Sequence, residues 1–297
     1  MTNADVVASL AAVGKKYGTL VALDAVDVSV HRGEVFALLG PNGAGKTTAI
    51  SLLLGLLEPD AGVASLFGMP PGSLQARRRI GAMLQTAGVP ETLTIGELIE
   101  LFRSYYAAPR TVADIVALAG VADLLDRRYG KLSGGQQRRA QFALALAGKS
   151  DILFLDEPTT GLDIGARETM WKTIRMLARE GCAIVLTTHY LEEAEALADR
   201  VLVLARGRVI ASGSVQQIRA RVAQRRIRCV SHLAENAIAA WPEVRAVSRD
   251  GQCIEIVTDA AEAVVRQLLF EDTSLSELEV RRAGLAEAFI EITKEAA

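Results

Sequence analysis

Residues 24–30, Asp-Ala-Val-Asp-Val-Ser-Val, alternate polar and apolar side chains, the period of a strand with one face in a core. His31-Arg32-Gly33 reads as a turn, and Glu34 to Gly40 (EVFALLG) as a short strand buried on both faces. Residues 46–57 (KTTAISLLLGLL) predict a helix of about three turns. Two further apolar runs, 151–157 (DILFLDE) and 182–189 (CAIVLTTH), have the length of buried strands, with long helical stretches between them. Strands alternating with helices predict an α/β fold built on a mostly parallel sheet. The span 93–149 reads as mainly helical. Thr94 with Glu97, and Ser133 with Gln136, have the spacing of capping boxes. Residues 201–213 (VLVLARGRVIASG) predict a hairpin around Arg206-Gly207.

The pattern changes near residue 219. Residues 219–230 (RARVAQRRIRCV) hold five arginines, and the cluster at 219–228 is expected to form a solvated helix face and linker. Beyond them come a strand, an Asp250-Gly251 turn and a strand (243–259), a helix (261–270), a strand (275–282) and a helix (285–296). The expectation is a first domain at 1–220, its helical subdomain at about 88–149, and a small α+β domain at 221–297.

Half of the 297 residues are hydrophobic, enough for one large core and a satellite. Lys and Arg number 33 against 35 Asp and Glu, so the basic excess of a nucleic-acid binder is missing and no nucleic-acid partner is expected. Cys182, Cys229 and Cys253 lack metal-ligand spacing and read as reduced thiols of a cytosolic protein. The longest apolar run, Ala49 to Leu57, is interrupted by Ser51 and Gly55 and is far short of the roughly 18–20 residues that cross a bilayer. The start, Met-Thr-Asn-Ala-Asp, does not have the pattern of a signal peptide. The expectation is a soluble chain that needs a partner for any role at a membrane.

Two stretches carry chemistry. Gly40-Pro41-Asn42-Gly43-Ala44-Gly45-Lys46-Thr47 fits the pattern G-x-x-x-x-G-K-[ST], between a strand and a helix, and Thr48 follows in the same turn. Main-chain N–H groups in such a curl, aided by the helix dipole, form a nest for phosphate oxygens. Lys46 supplies a charge to the outer phosphates, and Thr47 a hydroxyl for Mg²⁺. In Ile152 to Pro158 (ILFLDEP), a buried strand delivers Asp156 and Glu157 to its C-terminal end, where ligands of α/β sheets bind. Asp156 is the candidate for Mg²⁺, and Glu157 the candidate to polarise an attacking water.

Together with "LSGGQ" at Leu132 to Gln136, these motifs resemble the ATP-binding-cassette (ABC) ATPases. Lesser elements follow in the family's order: Tyr17 upstream, Gln85 in "AMLQT", Asp163 at the end of "TGLD" and His189 at the end of "IVLTTH". The resemblance covers about residues 5–215. It implies a P-loop NTPase core of ABC type, with an antiparallel β subdomain and a helical subdomain. It implies ATP and Mg²⁺ as the bound species, with two cassettes pairing head to tail around two ATP molecules. Ser133, Gly134, Gly135 and Gln136 would meet the γ-phosphate held by the other copy, and Asp163 would bridge the copies. Tyr17 would stack on adenine, Gln85 would contact the metal or water, and His189 would hold the γ-phosphate. It further implies a separate polytopic membrane permease, gripped near Gln85 and 88–110, and a place at the inner face of the cell membrane. The tail at 280–295 resembles that of bacterial ABC-2-type exporters. The competing expectation is an ABC ATPase that moves no substrate, acting on a ribosome or on DNA. Against it, the chain shows one phosphate loop, no heptads and no cysteine cluster.

Overall fold

The computed structural model describes residues 5–85, 88–220, 225–282 and 284–295. Thr86, Arg221 and Ala296, which enter the sequence reading, lie outside them. The chain divides into two compact units, 5–215 and 216–295.

The first unit runs β1 (Val6–Tyr17), β2 (Leu20–His31), β3 (Val35–Leu39), α1 (Lys46–Leu53), β4 (Ala61–Leu66), α2 (Leu74–Arg77), β5 (Ile80–Met83), α3 (Ile95–Arg103), α4 (Val112–Ala119), α5 (Gly134–Ala145), β6 (Ile152–Asp156), α6 (Ile164–Arg179), β7 (Ala183–Thr187), α7 (Leu191–Leu197), β8 (Arg200–Ala205) and β9 (Arg208–Ser214). The central sheet has the order β5-β6-β7-β3-β8-β9, parallel except for the β8–β9 hairpin. All residues of β3, β6 and β7 are buried, so their apolar runs match strands covered on both faces. A second, antiparallel sheet, β2-β1-β4, lies to one side. Its inward residues Leu10, Val26 and Val30 share one core with Phe36, Leu38, Ile50, Leu53 and Phe154.

Helix α1 is shorter than its apolar pattern suggests. It ends at Leu53 because Gly55 takes φ 65°, and a side chain there would lie 2.4 Å from Gly72 N. The helical stretch at 93–149 contains α3, α4, α5 and two 3₁₀ turns. Both expected capping boxes form, Thr94 with Glu97 on α3 and Ser133 with Gln136 on α5. No helix among the described residues is long and apolar enough to cross a membrane.

Helix α8 (Val215–Ala220) precedes β10 (Arg225–Val230), α9 (Glu235–Ala239), β11 (Val244–Asp250), β12 (Cys253–Thr258), α10 (Ala261–Glu271), β13 (Ser276–Arg282) and α11 (Leu285–Glu295). The strands form an antiparallel sheet, β11-β12-β10-β13. This β-α-β-β-α-β path is the split-βαβ, ferredoxin-like arrangement. The arginine-rich run is therefore partly mis-assigned by the sequence reading: Arg225 to Val230 form an inner strand rather than a helix face. Ile227 and Cys229 enter the core, while Arg226 on the alternate face pairs with Glu255 at 2.5 Å and Glu287 at 2.9 Å. Three ion pairs hide the alternation: Arg225 is also paired, with Glu262 at 3.4 Å.

Asp272 closes this unit. Its carboxylate accepts from Ser231 Oγ at 2.6 Å, His232 N at 2.8 Å and Ser274 N at 2.9 Å, and also from Ser274 Oγ. The Ser231 hydroxyl, followed by the other donors, holds its pKa well below the usual carboxylate range. A depressed folded-state pKa adds stability above the unfolded value of about 3.9, which is lost as the pH falls toward the folded value. Asp272→Asn is expected to lower the thermal midpoint of this unit in the full-length chain at pH 7. The gap from wild type should narrow in scans below about pH 4; a gap independent of pH would refute the ionic contribution.

Candidate active site

Four adjacent parallel strands, β5, β6, β7 and β3, end at the same edge of the central sheet. The residues at or just beyond these ends are Gln85, Asp156 with Glu157, Thr187 to His189, and the glycine loop. That edge is where an open α/β sheet leaves a crevice for ligands. A cleft of about 350 Å³ there is lined by Asn42, Gly43, Ala44, Gly45, Lys46, Thr47, Thr48, Gln85, Asp156 and Glu157, with Tyr17 at one end.

The loop between β3 and α1 is shaped by backbone. Gly45 caps α1 at φ 105°, and a Cβ on it would lie 2.5 Å from Ala22 O. No side chain caps α1 and no acid lies in its first turn. Its first N–H groups are thus left to an anion, whereas α3, α5 and α6 are capped by Thr94, Ser133 and Asp163. Lys46 reaches back over the loop, donating to Gly40 O at 2.7 Å and Pro41 O at 3.1 Å. Burial lowers the Lys46 pKa, and the charges of Glu157 and Asp156 oppose that shift. The ammonium is therefore held by main-chain oxygens in the field of two acids.

Asp156 ends β6 and is paired in register with Thr187 on β7. The Thr187 hydroxyl donates to Asp156 Oδ1 and fixes the carboxylate's orientation. Glu157 then takes φ 50°, a left-handed conformation that costs a non-glycine residue about 1–3 kcal/mol. Two bonds hold it there: Glu157 N donates to Thr187 O at 3.0 Å and to Thr187 Oγ1 at 3.2 Å. The bend aims Glu157 away from the strand axis, and His189 Nδ1 lies 3.2 Å from Glu157 Oε1. The half-exposed His189 ring packs at a tilt of 39° against the Tyr190 ring, with centroids 4.1 Å apart.

Other expected residues stand apart from this cleft. Ser133, Gly134, Gly135 and Gln136 do not line it. Ser133 and Gly134 are exposed at the N-terminus of α5. Gln136 is committed locally: its Oε1 accepts from Ser133 N and Arg127 Nη1, both at 3.1 Å. Asp163 caps α6, with Oδ1 accepting from Ala166 N at 2.8 Å. Gly40 and Pro41 serve through their carbonyls.

The sequence reading missed Thr187, and it missed Leu20, Val21 and Ala22, which line the cleft beside Tyr17. Thr187 was legible in one respect: ILFLD and AIVLT, read as parallel neighbours, both end on a polar residue. Leu20 and Val21 face Tyr17 and Lys16 across the β1–β2 hairpin, a register no local pattern announces.

The ABC transporter family model matches residues 23–160. The Nod factor export ATP-binding protein I of Burkholderia orbicola is 44% identical over 209 residues, covering 68% of this chain and 69% of that one. The daunorubicin resistance ATP-binding protein DrrA3 of Streptomyces coeruleorubidus is 38% identical over 294 residues, 94% of this chain and 93% of that one. Among solved structures, a dimeric ATP-binding cassette in a post-hydrolysis state, bound to ADP and Pi, aligns with a TM-score of 0.64 and 25% identity, over 70% of this chain and 98% of that one. With a relative of this identity matched over more than two thirds of its residues, the chain belongs to the ABC transporter family, as an ATP-binding and ATP-hydrolysing transport subunit.

Proposed function

We propose that two copies of this chain close head to tail around two ATP molecules and drive a separate polytopic permease that exports its cargo. One observation carries this reading: the amino end of α5, with Ser133 and Gly134 exposed, lies outside the cleft that holds the phosphate loop. The cap from Ser133 Oγ takes only the Gln136 N–H, so the Gly134 and Gly135 N–H groups suit an anion held by a second copy. The names of the two relatives, for Nod factor export and daunorubicin resistance, support the export direction. The dimeric cassette supports the pairing.

In this scheme Tyr17, with Leu20 and Val21, stacks on adenine. The loop amides and Lys46 take the β- and γ-phosphates. Hard oxygen donors from Thr47 and Asp156, with the Gln85 amide in the same cleft, fit a Mg²⁺ ion. When bound, Mg²⁺ would neutralise charge on the phosphate oxygens. Thr187 keeps the Asp156 carboxylate aimed into the cleft. Glu157 accepts the proton of the attacking water, and His189 steadies the γ-phosphate and the Glu157 carboxylate. Asp163 carries the state of one site to the other copy. ATP favours the closed pair through contacts made only there, and cleavage removes them. The permease docks near Gln85 and 88–110, which places the chain at the inner face of the membrane. The 5–215 unit is the nucleotide-binding domain and the 216–295 unit an accessory one. A role on a ribosome or on DNA is not adopted, since both relatives are named for export or drug resistance.

Glu157→Gln keeps the side chain's shape and removes its basicity. Its steady-state ATPase rate is expected to fall by about 10²–10⁴-fold, with ATP affinity retained and an ATP-bound dimer accumulating on gel filtration. Turnover near wild type would remove Glu157 from the mechanism. Affinity capture of the chain from detergent-solubilised membranes is expected to recover a polytopic protein; consistent recovery of ribosomes instead would refute the transport partner.

A further inference from the structure

Glu193 is a buried acid that the scheme above leaves unused. It sits in the first turn of α7 and is 1% exposed. Its Oε1 accepts from Trp171 Nε1 at 3.1 Å, and its Oε2 is buried with no hydrogen-bond partner among the described residues. Burial pushes its pKa up. The Thr188 hydroxyl, Trp171, the Thr159 hydroxyl and the Arg167 charge act in the opposite direction.

These four groups come from the segments that carry the site. Thr188 precedes His189. Thr159 lies in the turn between Glu157 and Asp163. Trp171 and Arg167 belong to α6, which Asp163 caps, and the Arg167 guanidinium lies 5.3 Å from the Trp171 ring centroid. A buried carboxylate with an unused oxygen is costly to keep unless its surroundings use it. An apolar side chain of similar size would fill the same space at less cost.

We propose that Glu193 is a positioning residue for ATP hydrolysis, tying the His189 segment to α6 through Trp171. It rests on the reading of Glu157 and His189 given above. Because α7 starts two residues after His189 and α6 starts one residue after Asp163, a link between these helices fixes the relative placement of both loops around Glu157. The consequence falls on alignment of the attacking water, not on binding of the nucleotide. That predicts a loss in kcat with KM held.

The test measures kcat, KM and equilibrium ATP affinity of full-length Glu193→Ala, Glu193→Gln and Trp171→Phe, with a thermal midpoint for each. Glu193→Ala is expected to lower kcat by about 10- to 100-fold, with KM and affinity within about twofold of wild type. Trp171→Phe, which keeps an aromatic ring and removes the Nε1–H donor, should lower kcat in the same sense by about three- to tenfold. Glu193→Gln, which keeps an acceptor for Trp171, should recover part of the loss. A kcat within about twofold of wild type in folded Glu193→Ala or in Trp171→Phe overturns the proposal, as does a loss of ATP affinity matching the loss of kcat. If Glu193→Ala does not fold, Trp171→Phe and Glu193→Gln decide by the same criteria. Glu157→Gln, run alongside, reports separately on the reading beneath: turnover surviving there condemns that reading, while its loss with unaffected Glu193 and Trp171 variants condemns only the present proposal.

Discussion

Strands buried on both faces can satisfy their backbone only by pairing with one another, and the 5–215 unit is organised by that requirement. In β3, β6 and β7 all residues are buried, so their N–H and C=O groups need neighbours on both sides. Parallel pairing then brings the C-terminal ends of β5, β6, β7 and β3 to one edge. The glycine loop, the two acids and the histidine are far apart in sequence. They meet because their strands share a direction.

A second trade-off runs through the helix ends. Thr94, Ser133 and Asp163 each give an oxygen to the amides of the helix that follows. α1 receives none, and its stability rests on the apolar face formed by Ala49, Ile50, Leu52 and Leu53. Its amide end stays available because packing, not capping, holds the helix in place. Glu157 repeats the theme on a smaller scale, with its unfavourable dihedral held by two bonds to Thr187.

Much of this was legible in the residues. The apolar runs before Gly40 and Asp156 announced buried strands, and Ser133-x-x-Gln136 announced a capped helix. What escaped was whatever depends on long-range pairing. The strands β1, β4 and β5 have mixed or short patterns and gain their identity from neighbours across the sheet. Arg225 to Val230 misled because charge density at the level of composition outweighed the alternation of Ile227 and Cys229 beneath it. The reach of α1 was overestimated because Leu54, Leu56 and Leu57 extend its apolar run past Gly55, whose conformation ends the helix. At the site, Lys46, Asp156 and Glu157 could be named from local motifs. Thr187 and Glu193 could not, since their importance lies in what they touch.

The outer strands of the sheet in the 216–295 unit have a further consequence. β11 and β13 each pair on one side only. β13 carries Glu277, Glu279 and Arg281 along its length, and Glu277 bends the chain at φ 51°. β11 carries Arg245, Arg249 and Asp250. Fixed charges and a kink make a poor template for stacking one sheet on the next. Neither outer strand therefore invites the edge of another copy to extend the sheet.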